Sequence, residues 1–412
     1  MTEKKIFLDN ASTTRVADEV VEAMLPYFTE KFGTASSDYG HSFGVEAKEA
    51  MDEARATVAS ALKTSPDGII FTSGGTESNN LAIKGIAYRY KNKGNHIIVS
   101  SIAHSSALDA CEALEKEGFQ ITLAGVDNQG FIKLDELEKA ITDKTILVSV
   151  DHGNAEIGAI QDLEKIGKIC KERDVRFHAD AAQSFTRVPI DVDKMHLDLV
   201  TISGHKIHGP KGIGALYVRK GVRLHKLIDG GMYERNLRGG TENIPGIVGL
   251  GKAVAISEGV ADILTPLRDK LINRVLNEIP EVQLTGPPAG PHRLPTIASF
   301  VINYVEGESL LLHLDMRGFN VNTGSACSTK KLKASHVLTA IGLPVEISHG
   351  SVRLSVGRYN TEEEVDAVVD NLKEVVTRLR EMSPLNAEFM KEWEKEKEEM
   401  YKRGESPEDH HH

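Results

Sequence analysis

Leu199-Val-Thr-Ile-Ser-Gly-His-Lys-Ile-His-Gly-Pro-Lys-Gly-Ile-Gly214 joins an apolar run to a small polar cluster and then turns on glycine and proline. The run has the length of a strand, and its lack of polar alternation suits a strand covered on both faces. It ends in Ser203-Gly-His-Lys206, which sets a lysine amine and two phosphate-capable donors at the strand's C-terminal edge. Pro210 and the flanking glycines then turn the chain into a second run, Ile213–Val218.

The same pattern repeats upstream. Strands are expected at Gly68–Thr72, His96–Ser100, Ile146–Val150, Val175–His178 and Leu197–Ile202. Helical patterns lie between them, among them Val45–Leu62 with Met51, Ala54, Val58 and Leu62 on one face. Alternation of this kind predicts an α/β fold, a mostly parallel sheet wrapped by helices. Ligands of such sheets gather beyond the C-terminal ends of the strands.

Beyond about residue 260 the pattern changes to a helix near Ile263–Ile279, the Gly/Pro-rich stretch Gly286–Pro295, a strand at Ala298–Tyr304 and a helix near Ser309–Arg317. Glu362–Arg380 is strongly periodic, with Val365, Val368, Val369, Leu372, Val375, Val376 and Leu379 on one face. We therefore expect a large domain over residues 15–260 and a smaller α+β domain from 261–385 joined by the arm 1–14. Residues 386–412 form a charged tail, and His410–His412 reads as a tag remnant.

A net charge of −11 disfavours nucleic acid and anionic membrane as partners. No run reaches the roughly 20 apolar residues of a membrane span. The three cysteines, Cys111, Cys170 and Cys327, lack the pairing of a disulfide scaffold or a thiolate metal site, so no metal is expected and the chain reads as cytoplasmic. Cys111 and Cys170 fall in helical patterns and read as small buried hydrophobes.

Taken singly, Lys206 would be a solvated charge, Asp180 a helix cap and His104 a surface or helix-capping histidine. Together with Thr76, Gln183 and His205 they all follow predicted strands, which is the edge where ligands bind. Phe71-Thr-Ser-Gly-Gly-Thr-Glu77 adds a strand, a glycine turn and a helix start, whose free N–H groups suit a phosphate. An aspartate at a strand edge can pair with a protonated pyridine nitrogen and so make a cofactor an electron sink.

From Phe7-Leu-Asp-Asn-Ala-Ser-Thr-Thr14 to Arg353-Leu-Ser-Val-Gly-Arg-Tyr-Asn-Thr361 the chain resembles the cysteine desulfurases, in the class V branch of fold-type I pyridoxal-phosphate enzymes. The most specific pieces are Thr72–Ser78, Ser203–Lys206 with Gly209–Gly212, and Gly324-Ser-Ala-Cys327. The resemblance implies that pyridoxal 5′-phosphate is linked to Lys206, with Asp180 on the pyridine nitrogen, Gln183 on the ring hydroxyl and His104 stacked on the ring. It places Gly75, Thr76, Ser203 and His205 at the phosphate and Asn154 among the cofactor-binding residues. Thr241, in Arg238-Gly-Gly-Thr241, would reach the phosphate of the other subunit of a homodimer.

The resemblance also implies a reaction in which L-cysteine becomes L-alanine. Lys206 removes the α-proton, Arg353 grips the carboxylate, Cys327 takes the sulfur as a persulfide, and His104 supplies a proton. Lys330, Lys331 and Lys333 near Cys327 favour its thiolate. A sulfur-acceptor or scaffold protein, in iron–sulfur assembly or thiolation, would receive the product.

Two departures cluster. Thr34 stands in Phe32-Gly-Thr-Ala-Ser-Ser37 and Ala155 in His152-Gly-Asn-Ala-Glu-Ile-Gly158, each where the family usually carries an asparagine; His41 comes two residues late. These predict altered substrate handling: weak cysteine affinity or a different amino acid. A class V lyase or aminotransferase is thus the first alternative, and a non-catalytic scaffold or sulfur-relay partner the second.

Overall fold

The computed structural model describes residues 5–323 and 335–382; Cys327 and the charged tail lie outside the described residues. Its strands are β1 (Ile6–Phe7), β2 (Ile69–Thr72), β3 (His96–Ser100), β4 (Gln120–Ala124), β5 (Thr145–Asp151), β6 (Arg176–Asp180) and β7 (Leu199–Ser203). These are followed by β8 (Gly214–Val218), β9 (Val282–Leu284), β10 (Ile297–Ile302), β11 (Phe319–Asn320) and β12 (Ser351–Ser355).

Seven of them form one sheet in the order β2-β8-β7-β6-β5-β3-β4, in which only β8 runs antiparallel to its neighbours. Five residues of β3, seven of β5 and five of β7 are buried without exception, which is why these segments read as apolar runs. The edge strand β4 escapes sequence reading because it is half exposed and carries Gln120 and Thr122.

The helix Ser105–Lys116 after β3 packs its Ala107, Ala110 and Cys111 into one hydrophobic cluster. The helix Leu163–Glu172 after β5 packs Leu163, Ile166 and Cys170 into another. Crossovers of opposite sense thus leave β3 and β5, and a topological switch point of this kind opens a ligand crevice. Burial pushes the Cys111 and Cys170 thiols up to about 12, so both are inert hydrophobes.

A further cluster joins Leu8, the helices Val260–Glu278 and Glu362–Met382, and the antiparallel strands β9, β10 and β12. Leu8 donates to Asn320 O and accepts from Ser355 N, so the chain enters through this cluster. The arm Asp9–Thr14 then crosses to the C-terminal edge of the large sheet, where Thr14 N meets His205 O at 3.0 Å.

Candidate active site

Strand register assembles the site. Ser203 of β7 pairs with Gly214 of β8, which in turn pairs with Thr72 of β2. The loop after β2 therefore delivers the start of the helix Gly75–Tyr90 beside Ser203, and a Cβ built on Gly75 would lie 3.5 Å from Ser203 Cβ. Gly74, the residue before the helix, has φ of 150°, a conformation open to glycine alone. No side-chain hydrogen bond caps this helix, so its first N–H groups open beside Ser203 without an internal acceptor from a cap. Thr76 is exposed in the first turn.

On the neighbouring strands Asp151 and Asp180 stand in register at the C-terminal ends of β5 and β6. Asp180 is buried; its Oδ2 accepts from Asn79 Nδ2 at 2.7 Å and its Oδ1 from Ala182 N at 2.9 Å. Asn79 also donates to Ser106 Oγ at 2.8 Å, and Ser106 Oγ lies 2.8 Å from His104 Nδ1. Both protons of the Asn79 amide are spent, so the Ser106 hydroxyl proton goes to His104. His104 Nδ1 also accepts from Ser106 N at 3.2 Å, capping the helix Ser105–Lys116. Two donors on Nδ1 leave the neutral ring its proton on Nε2. His104 is thus a helix cap and, by its exposed ring, a group available at the site.

Lys206 Nζ donates to Ala11 O at 2.6 Å and Ser12 O at 2.8 Å. Burial first, then the positive charges of Arg353 and Arg187, push its pKa down to about 8. Beside it, His205 Nδ1 lies 3.0 Å from Thr13 Oγ1, and burial and the charges of Lys206 and Lys211 lower its pKa to about 4. Gln183 Nε2 donates to Ala11 O at 2.8 Å, while its buried Oε1 has no protein partner.

Arg353 on β12 donates from Nη2 to Asp9 Oδ1 at 2.8 Å and Ser12 Oγ at 2.9 Å, and from Nη1 to Ala155 O at 3.1 Å. Its Nε is buried and has no acceptor among the described residues. Thr241 is exposed, and its neighbour Glu242 accepts from Thr34 at 3.4 Å.

The structure thus brings Gly75, Asp180, Gln183, Ser203, His205, Lys206 and Arg353 to one edge. Asn154 departs from expectation. Its Nδ2 donates to Ile102 O and Asp151 Oδ2, and its Oδ1 accepts from Glu156 N and Ile157 N, at 2.9–3.0 Å. All four of its hydrogen-bonding positions are taken. It shapes the turn after β5 and has none left for a cofactor. Sequence reading missed Asn79, Ser106 and the arm Asp9–Ser12. Asn79 looks like a helix interior, and the arm works through backbone carbonyls that no side-chain pattern announces; only the polar run Asp9–Thr14 marks it.

One edge of the sheet thus gathers a lysine amine lowered to about 8, a fixed carboxylate, an uncapped helix N-terminus and a buried amide oxygen without a partner among the described residues. The aminotransferase class-V family profile matches residues 6–368, and the chain belongs to that family. It is 49% identical over 390 residues to a protein of Dictyoglomus turgidum named cysteine desulfurase IscS, covering 94% of this chain and 98% of that one. A relative of the same name in Methanosarcina thermophila is 50% identical over 386 residues, covering 93% of this chain and 94% of that one. Among solved structures, a NifS-like protein superposes with a TM-score of 0.84 at 36% identity, covering 90% of this chain and 99% of that one.

Proposed function

We propose that this protein is a pyridoxal 5′-phosphate-dependent cysteine desulfurase that converts L-cysteine to L-alanine and passes the sulfur to Cys327. The observation that carries the reading is Lys206, an amine pushed to about 8 and aimed by two carbonyls, at an edge shared with Asp180 and the helix N-terminus. The relatives' names support the choice of reaction.

The residues fit the cofactor. Asp180, fixed by Asn79 and Ala182, would hold a pyridinium nitrogen. Gly75, Thr76, Ser203 and His205 would hold the phosphate, and Gln183, with its unpartnered oxygen, the ring hydroxyl. When bound, pyridoxal phosphate supplies an aldehyde for the amino group and an electron sink for the α-carbon.

Lys206, neutral in a useful fraction near its pKa of about 8, takes the α-proton. Arg353 holds the substrate carboxylate through the free Nε–H and a shared Nη. The Cys327 thiolate forms the S–S bond as the substrate's C–S bond breaks. The β-carbon takes a proton, for which His104 Nε2–H is the donor at hand. Thr241 serves the partner's phosphate in a homodimer, and a sulfur-acceptor protein takes the persulfide. The enzyme works in the cytoplasm, with a large cofactor-binding domain over 15–260 and a small domain formed by 1–14 and 261–385.

The test is alanine and sulfide release from L-cysteine with a reductant. Equal yields are expected. Lys206→Ala should lose the visible absorbance and at least about 10⁴-fold in turnover. Cys327→Ser should keep the absorbance and lose the persulfide. Yellow protein that releases neither product from cysteine would favour the second reading, another amino-acid substrate. The observation behind that reading is Ala155, which offers Arg353 only a backbone oxygen at 3.1 Å.

A further inference from the structure

We propose that Arg187 is a positioning residue for Lys206: its buried guanidinium fixes the backbone at both Gln183 and Lys206, and its charge opposes a second positive charge on the Lys206 amine. The inference rests on the reading of Lys206 as the cofactor lysine.

Arg187 is 6% exposed. Nη1 donates to Gln183 O at 3.1 Å and Nη2 donates to Lys206 O. Among the described residues no carboxylate forms an ion pair with it. A buried cation without a counter-ion is costly, and replacement by an apolar side chain would remove that cost. Its planar fork, however, reaches two carbonyls twenty-three residues apart in sequence, which a single ammonium cannot do with the same geometry. Those carbonyls belong to the two residues whose side chains share Ala11 O. Arg187 therefore sets the spacing of both donors from behind.

The electrostatic part follows from the same placement. Lys206 faces Arg353 and Arg187 on the positive side and Asp9 and Asp180 on the negative. Arg353 is neutralised by Asp9 at 2.8 Å, whereas Arg187 is bonded only to neutral carbonyls. Near Arg187 stand Arg358 and His208; His208 is itself pushed down to about 4, first by burial, and carries no charge at neutral pH. Arg353 acts on Lys206 more strongly but is paired with Asp9; Arg187, the next in effect, has no paired carboxylate among the described residues. With the amine neutral, its two protons serve Ala11 O and Ser12 O and its lone pair is free to attack.

The test is uptake of pyridoxal 5′-phosphate by the cofactor-free full chain, followed by visible absorbance across the neutral and alkaline range. In capture, the amine lone pair bonds the aldehyde carbon, and the carbonyl oxygen leaves as water with the amine's protons. The rate therefore tracks the neutral fraction of Lys206, with a wild-type midpoint near its pKa of about 8. Arg187→Gln keeps a donor without the charge; its midpoint should rise by about one pH unit, slowing uptake at neutral pH about tenfold. Arg187→Lys should return the midpoint to the wild-type value while remaining slower at every pH. An unmoved midpoint in Arg187→Gln, or equal slowing of both variants with no change of midpoint, would overturn the inference. If circular dichroism shows that Arg187→Gln does not fold, Arg187→Met, a second uncharged variant, decides: a raised midpoint supports the charge role and an unmoved one ends it. Failure of the wild-type chain to take up any cofactor would instead defeat the reading of Lys206 itself.

Discussion

The Asp180 end of the site and the Arg353 end hold their charged groups in different ways. Asp180 accepts only from neutral donors, Asn79 Nδ2 and Ala182 N, and Asn79 is tied through Ser106 to His104. Arg353 is held by a charged partner, Asp9, whose other oxygen accepts from Asn322 at 2.9 Å, and its Nε has no acceptor among the described residues. On the proposed reading, the first arrangement leaves Asp180 free of a cationic partner of its own, as a resident cofactor would require. In the second, an internal carboxylate occupies part of a cation that the proposed substrate carboxylate would share. One end then suits a resident group, the other a visitor that comes and goes.

That contrast can be broken at either end. Arg353→Gln removes a charged donor from the visitor's end only. Lost charge-assisted hydrogen bonding of about 1.5–3 kcal/mol corresponds to a KM for L-cysteine raised about 10–100-fold, with the visible absorbance unchanged. A KM left at the wild-type value would show that Arg353 serves Asp9 alone. At the resident end Asn79→Ala leaves Asp180 Oδ2 and Ser106 Oγ without their shared donor. Cofactor affinity, measured by dialysis against free pyridoxal phosphate, should fall about tenfold while KM moves little. Equal shifts of KM and cofactor affinity in both variants would erase the distinction between the ends.

The part of this arrangement legible in the sequence is the part carried by side chains on regular elements. β3, β5 and β7 are buried on both faces and so spell themselves as apolar runs, β6 nearly so, and the residues at the ends of β6 and β7, Asp180 and then Ser203, His205 and Lys206, land at one edge by register. β4 lies at the sheet's edge, where half-exposed positions admit polar residues and dilute the signal. Asn154 shows what spacing alone leaves out: an amide next to the site reads as a ligand, while in the structure its four bonds go to Ile102, Asp151, Glu156 and Ile157. The arm Asp9–Ser12 is legible only in part: its polar side chains, which hold Arg353, mark it, whereas Ala11 and Ser12 receive Lys206 on peptide oxygens that every residue carries. Arg187 is hidden in the same way, because its partners are carbonyls.

Asp151 sharpens the comparison from the resident end with the smallest effect. It is buried in register beside Asp180, accepts from Asn154 at 3.0 Å, and has an Oδ1 without a partner. Burial first, and the charge of Asp180 as well, push its pKa up to about 6. A carboxyl whose folded value lies above its unfolded one favours the native state while protonated. Its contribution therefore falls as pH rises from the ordinary carboxylate range through about 6 and stays low above that. Linkage sets a ceiling of about 3 kcal/mol on that loss, and relaxation around the charged form should leave about 1 kcal/mol. Asp151→Asn keeps an acceptor for Asn154 and carries no charge, so the variant should gain on the wild type as pH crosses this window. Urea midpoints of the cofactor-free proteins, taken on both sides of pH 6, measure the difference directly. A gap that opens with rising pH shows that charging the Asp151 carboxyl in its buried place beside Asp180 costs stability. A gap that stays constant would mean that Asp151 does not change its charge across the window, and the raised value would be wrong.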